Sequence, residues 1–197
     1  PSAVSVGPEG CWVAVACYDS DTLVLFDRDP DTGGLTYSCA FTDEQGGITS
    51  LNGISSAVFA PVAGPPEGTG ETTTLYAVSY YDDAVLVFER DEGTDTWNYI
   101  GEYNNEEPDI SGIEGARDIA VRPDGTEVYV AASGDDAFTI FSRDTTTNAL
   151  SWSGTAVHGE DGMTGLDGAR TLAVSADGNT VYTGASNSDA LCLFRRE

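Results

Sequence analysis

The feature that most constrains this chain is that it repeats itself. The stretch GARDIAVRPDGTEVYVAASGDDAFTIFSRD, beginning at Gly115, lies without a gap over GARTLAVSADGNTVYTGASNSDALCLFRRE, beginning at Gly168. SAVSVGPEGCWVAVACYDSDTLVLFDRD, beginning at Ser2, keeps the same register, and SSAVFA followed by TLYAVSYYDDAVLVFERD does so after an insertion. A period of roughly 53 residues belongs to propellers and solenoids, whose units bury their apolar faces only against one another. The expected units are 1–53, 54–115, 116–168 and 169–197. The second is lengthened by the segment from Pro61 to Thr74, PVAGPPEGTGETTT, a loop by composition.

Each unit reads as short strands in one order. A small apolar innermost strand (Ile119 to Val121, Leu172 to Val174) leads into a tight turn at Glu9-Gly10, Asp124-Gly125 or Asp177-Gly178. A second strand rich in β-branched and aromatic residues follows, at Val13 to Val15, Leu75 to Val78, Val128 to Val130 and Val181 to Thr183. The third is Leu23 to Phe26, Val85 to Phe88, Phe138 to Phe141 and Leu191 to Phe194. A fourth strand completes only the first three units, at Leu35 to Phe41, Trp97 to Glu102 and Leu150 to Ala156. The fold class expected is therefore all-β: β-propeller blades of four antiparallel strands, three complete and a fourth lacking its outer strand, in a single repeat domain.

Two columns explain why such units would stack. A phenylalanine closes every third strand (Phe26, Phe88, Phe141, Phe194), and an arginine-acid pair follows it (Arg28-Asp29, Arg90-Asp91, Arg143-Asp144, Arg196-Glu197). The ring supplies buried area between neighbouring blades, and the guanidinium can pair with a carboxylate or reach turn carbonyls.

With these residues in place, AVRPDGTEVYVA from Ala120, the Asp-Asp turn and the F-x-R-D ending together resemble the repeat of the lactonase-like, YVTN-type β-propeller family. The resemblance covers nearly the whole chain and implies a propeller of more blades than this, seven being usual in that family. It also implies a lactonase-type hydrolase, although such repeats encode blade packing more than chemistry.

Charge is the unusual compositional fact: 33 acidic residues against eight arginines and no lysine give a formal net charge of -25. That surface repels nucleic acid and anionic membranes and would attract divalent cations, basic partners or high salt. No apolar run approaches the roughly 20 residues of a membrane span. The chain begins at Pro1 and its only methionine is Met163, as expected of a processed product or a piece of something longer. Cys11, Cys17, Cys39 and Cys192 lack CxxC spacing and the sole histidine is His158, so they are disulfide candidates or buried thiols rather than zinc ligands. Cys11 and Cys17 would lie about 20 Å apart on one strand, too far to bridge each other.

Propeller sites usually lie on the face carrying the loops between second and third strands and those joining blades, and here both loop sets are acidic. The column Asp21, Asp83, Asp136 and Asp189 offers oxygens from several loops, as calcium would require. Its recurrence in every unit also suits an aspartate bonding the backbone of its own tight turn, which is the expectation. Glu106 and its neighbours supply further carboxylates between blades. Asp27, Asp29 and Asp31 with Gly33 imitate a calcium loop, but the glycine falls one place late, and a turn between strands is the better account. Arg117 and Arg170 occupy matching positions where the innermost strand enters the central channel. They could bind a ligand carboxylate or phosphate, or pair with Glu114 and Asp167. No nucleophile motif accompanies His158, so a catalytic triad is not expected.

The unpaired edge at Leu191 to Phe194 would invite another copy or another protein. Cysteine use, lysine absence and acidity agree with an exterior, cell-surface or secreted location. The function expected from the residues is an extracellular non-catalytic propeller scaffold or protein-interaction module, a subunit of a larger assembly or filament. The alternative, implied by the resemblance, is a lactonase-type hydrolase with an acidic, metal-binding or arginine-lined funnel.

Overall fold

Short β-branched stretches separated by glycine-containing turns fold as consecutive antiparallel hairpins. The computed structural model describes residues 1–61, 73–91, 93–105 and 107–196. Its strands form four separate antiparallel sheets in which spatial order follows chain order. Blade one is β1 (Ala3–Val6), β2 (Trp12–Cys17), β3 (Thr22–Arg28) and β4 (Leu35–Thr42). Blade two is β5 (Ile54–Phe59), β6 (Thr74–Ser79), β7 (Ala84–Asp91) and β8 (Thr96–Asn104). Blade three is β9 (Ala116–Val121), β10 (Glu127–Ala132), β11 (Ala137–Arg143) and β12 (Leu150–Val157). Blade four has β13 (Ala169–Val174), β14 (Thr180–Ala185) and β15 (Ala190–Arg195), with β15 as its outer strand among the described residues. Most of the expected insertion, residues 62–72, lies outside the described residues, as do Glu106 and Glu197.

The core lies between blades, as a repeat that cannot hide its own apolar face requires. One cluster joins blades one and two through Leu23, Leu25, Leu75 and Leu86; the next joins two and three through Tyr76, Val85, Val128 and Val130. The last joins three and four through Tyr129, Phe138 and Val181. The phenylalanine column is part of these seams. Phe88 meets Phe41 of the preceding blade at 4.7 Å between ring centroids, and Phe194 stacks on Phe138 at 4.3 Å. Phe26 meets Tyr37 of its own blade.

The arginine-acid pair serves two turns. Arg28 and Arg143 each donate to the carbonyl of the glycine in the first turn of their own blade, Gly10 and Gly125, at 2.8 and 2.9 Å. The acid beside each caps the turn between third and fourth strands. Asp29 accepts from the N–H groups of Asp31 and Thr32, Asp91 from Gly93 and Thr94, and Asp144 from Thr146 and Thr147. The run containing Asp27, Asp29, Asp31 and Gly33 is therefore built as a turn around one carboxylate.

Cys11, Cys17, Cys39 and Cys192, the disulfide candidates, are four free thiols in this structure. Cys17 pairs with Thr22, which pairs with Thr42, and Cys39 lies three positions before Thr42 in β4; Cys192 lies in blade four. Burial pushes the Cys39 thiol up to about 11. Among the described residues, no helix is long and apolar enough to cross a membrane.

Candidate functional site

The innermost strands β1, β5, β9 and β13 converge on a common axis, and three of them carry the same irregularity. The ladder slips between Ile54 and Ser56, between Ala116 and Asp118, and between Ala169 and Thr171. Each slip is a β-bulge that leaves one residue unpaired: Ser55, Arg117 or Arg170. In a regular strand successive side chains face opposite ways, but a bulge re-aims one of them. Both members of Ser55-Ser56, Arg117-Asp118 and Arg170-Thr171 consequently line one axial cavity of about 260 Å³, closed on the side of blade one by Ser2, Ala3 and Tyr18.

Asp118 is the most heavily engaged polar group there. One carboxylate oxygen accepts from Ser56 Oγ of blade two at 2.8 Å and from Ile119 N at 2.9 Å; the other accepts from Leu172 N of blade four at 2.8 Å. Burial raises its carboxyl above the ordinary aspartate value, against the opposing pull of those hydrogen bonds. Arg117 is held from two sides, with its guanidinium 3.8 Å from the centroid of the Tyr80 ring and Nε donating to Ser133 Oγ at 3.3 Å. Arg170 is exposed and makes neither a hydrogen bond nor an ion pair among the described residues. The ion pairs weighed for these arginines with Glu114 and Asp167 are not formed among the described residues.

The aspartate column has a different use from the one expected. Asp21, Asp83 and Asp136 have left-handed φ values of 50°, 51° and 52°. Each extends an oxygen past its own turn into the following blade. Asp21 accepts from Gly53 N, Asp83 from Gly115 N and Asp136 from Gly168 N, each at 2.7 Å. The acceptor lies 32 residues before its donor in all three cases. The receiving glycines have φ of 68°, 62° and 71°, and a Cβ on Gly115 would stand 2.8 Å from Gly134 N, so only glycine fits. The preceding loop position ties blades two, three and four each to its own lead-in: Asp82 accepts from Asn52 N, Asp135 from Glu114 N and Ser188 from Asp167 N. Asp189 shares the left-handed φ, at 47°, and accepts no hydrogen bond among the described residues.

Burial, then the neighbouring charges of Asp43, Glu102 and Asp21, raise the Asp82 carboxyl despite its bond from Asn52. Among the described residues no group of three or more His, Cys, Asp or Glu side chains is placed to hold a metal ion. His158 accepts from Leu166 N through Nδ1 in the connection between blades three and four.

Sequence reasoning missed Asp118 and Tyr18. It began the inner strand of blade three at Ile119, whereas β9 begins at Ala116, so the bulged segment fell outside the strand. The signal present was the G-A-R lead-in shared by residues 115–117 and 168–170, a glycine of positive φ followed by a side chain that cannot face the core.

Comparison with known proteins places this architecture. Residues 37–197 match the family model described as lactonase, 7-bladed beta-propeller. No curated protein matches. A putative 6-phosphogluconolactonase from Bacteroides fragilis superimposes with a TM-score of 0.70 at 18% identity, over 99% of this chain and 50% of its own. A periplasmic gluconolactonase from Pseudomonas aeruginosa does so with a TM-score of 0.69 at 19% identity, over 98% and 49%. Hydrazine synthase from Kuenenia stuttgartiensis, with a TM-score of 0.61 at 13% identity over 98% and 58%, shares the fold as well. The chain thus spans about half the length of these solved structures. The family match overturns the expectation of a non-catalytic scaffold, since the model that residues 37–197 match is described as a lactonase. The chain belongs to the seven-bladed β-propeller lactonase family.

Proposed function

We propose that the axial cavity hydrolyses cyclic esters, with Asp118 as general base and Arg117 and Arg170 as anion-binding groups. The observation that carries this reading is that strand bulges turn two guanidinium groups and one half-buried carboxylate into a single cavity on the propeller axis.

Opening a lactone requires a water oxygen to add to the acyl carbon while its proton is removed. Asp118 is suited to take that proton. Its oxygens are fixed by Ser56, Ile119 and Leu172, and burial makes its carboxylate more basic than an exposed one. Negative charge then develops on the former carbonyl oxygen. Arg117, clamped between Tyr80 and Ser133, is a preorganised positive group for it. When the ring C–O bond breaks, the departing alkoxide recovers the proton from Asp118, giving the open hydroxy acid. Arg170, exposed at the cavity and without an ion pair among the described residues, is placed to anchor an anionic substituent of the substrate. An extracytoplasmic location accompanies this proposal, supported by the periplasmic gluconolactonase neighbour and by the acidic composition.

The test is hydrolysis of a panel of small lactones, with and without calcium, by the wild type and by Asp118→Asn. Turnover above the spontaneous rate that falls about 10²- to 10⁴-fold in the variant is expected. An inert wild type, or a variant as fast as the wild type, overturns the proposal.

A further inference from the structure

Four loop positions in register around the axis are Tyr18, Tyr80, Ser133 and Ser186. The two serines do the same structural job: Ser133 Oγ donates to Gly115 O at 3.2 Å and Ser186 Oγ to Gly168 O at 3.3 Å, each closing the lead-in to its own blade. Tyr80 departs from that pattern and has a visible reason, since its ring carries the guanidinium of Arg117 from the following blade. Tyr18 stands in the same relation to blade two, but the residue matching Arg117 there is Ser55. That serine is buried and spends its hydroxyl on Val78 O and Ala116 O. Tyr18 therefore has an aromatic ring at a position where its counterpart stacks a guanidinium, and among the described residues no guanidinium of the next blade takes that place.

Three facts bear on what does. Tyr18 lines the axial cavity together with Arg117, Asp118 and Arg170. Its ring is braced by Tyr80 and Tyr81, with centroids at 6.2 and 5.8 Å, so its orientation is fixed by packing. The cavity is consequently two-sided, aromatic on the side of blade one and cationic on the sides of blades three and four. A ring ligand with an anionic or carbonyl edge and a carbon face matches both sides, the edge toward the guanidinium groups and the C–H face toward the π-surface.

We infer that Tyr18 is a specificity-determining residue of the axial cavity, against which the carbon face of a cyclic ester lies. This rests on the lactone-hydrolysis reading for the identity of the ligand, while the stacking itself is measurable without turnover. Tyr18 takes no proton and touches no bond that changes, so its effect belongs in binding.

The experiment compares the wild type with Tyr18→Leu, which keeps bulk and removes the π-face, and Tyr18→Trp, which keeps the π-face; thermal melts establish that each is folded. Two readouts are taken: steady-state hydrolysis of D-glucono-1,5-lactone, and calorimetric binding of its non-hydrolysable lactam. Tyr18→Leu is expected to raise KM and weaken lactam binding about five- to tenfold, the size of one aromatic contact, with kcat within about twofold. Tyr18→Trp is expected to retain wild-type binding. Unchanged lactam affinity in Tyr18→Leu overturns the inference and leaves the hydrolase reading intact. Lactam binding that depends on Tyr18 in a protein without turnover overturns the hydrolase reading and leaves the inference standing. A wild type that binds no lactam overturns the inference.

Discussion

Blades three and four are written in nearly the same sequence and live in different surroundings. In β11 of blade three, Phe138 and Phe141 are fully buried, whereas in β15 of blade four Leu191 is 71% exposed at the position matching Phe138, and Leu193 is 52% exposed. The pattern of side chains is the same; the burial is supplied by what stands beside the blade. Repeat sequence thus encodes a capacity for packing, and a neighbour turns that capacity into stability. The mirror case stands at the other end, where Val4 and Val6 of β1 are 65% and 56% exposed.

The contrast can be broken by paired substitutions read in chemical unfolding. Phe138→Ala empties a site closed on both sides and is expected to cost about 3–5 kcal/mol. Leu191→Ala, at the matching position, is expected to cost no more than about 0.5 kcal/mol. Equal losses would mean that the two faces are equally covered in solution.

A smaller effect is expected at the inter-blade aspartates. Asp83→Ala leaves the buried Gly115 N–H without its acceptor, whereas Asp189→Ala removes an oxygen that bonds nothing among the described residues. Both substitutions place alanine at a left-handed φ, so that penalty cancels in the comparison. The remaining difference is the hydrogen bond, about 1–3 kcal/mol. Identical unfolding midpoints would remove the aspartate column from the account of blade docking.

The smallest effect concerns turns that are alike in blades one, two and three. Hydrogen bonds led by Thr32, Thr94 and Thr146 hold the carboxyls of Asp29, Asp91 and Asp144 below the ordinary value of 3.8. A depressed folded value means that their contribution is present above pH 3.8 and is lost as pH falls through the folded value. Asp91→Asn and Asp144→Asn are each expected to flatten the acid side of the stability profile slightly and by similar amounts. An unaltered profile in either would contradict this.

The repeat made blade packing legible, because a phenylalanine at the end of each third strand and a glycine in the first turn of three units leave few other folds. The axis was less legible, since function there depends on an interruption of the repeat. Arg117 and Arg170 stood out as matching positions at the entry of two innermost strands. Asp118 did not, because alternation assigns residues 117 and 118 to opposite faces and only the bulge places both on the axis. The column of Asp21, Asp83 and Asp136 was visible as recurrence, but its target lies 32 residues onward in another blade, a distance that no local turn rule spans.

The most direct measurement of the central claim is the pH dependence of lactone hydrolysis by the wild type and by Asp118→Asn. Burial raises the carboxyl of Asp118, so the wild-type rate should fall on acidification through a value above 3.8, and the variant should retain only a slow rate without that limb. A wild-type profile with no acid limb, or a variant that keeps it, would contradict the assignment of Asp118 as the base.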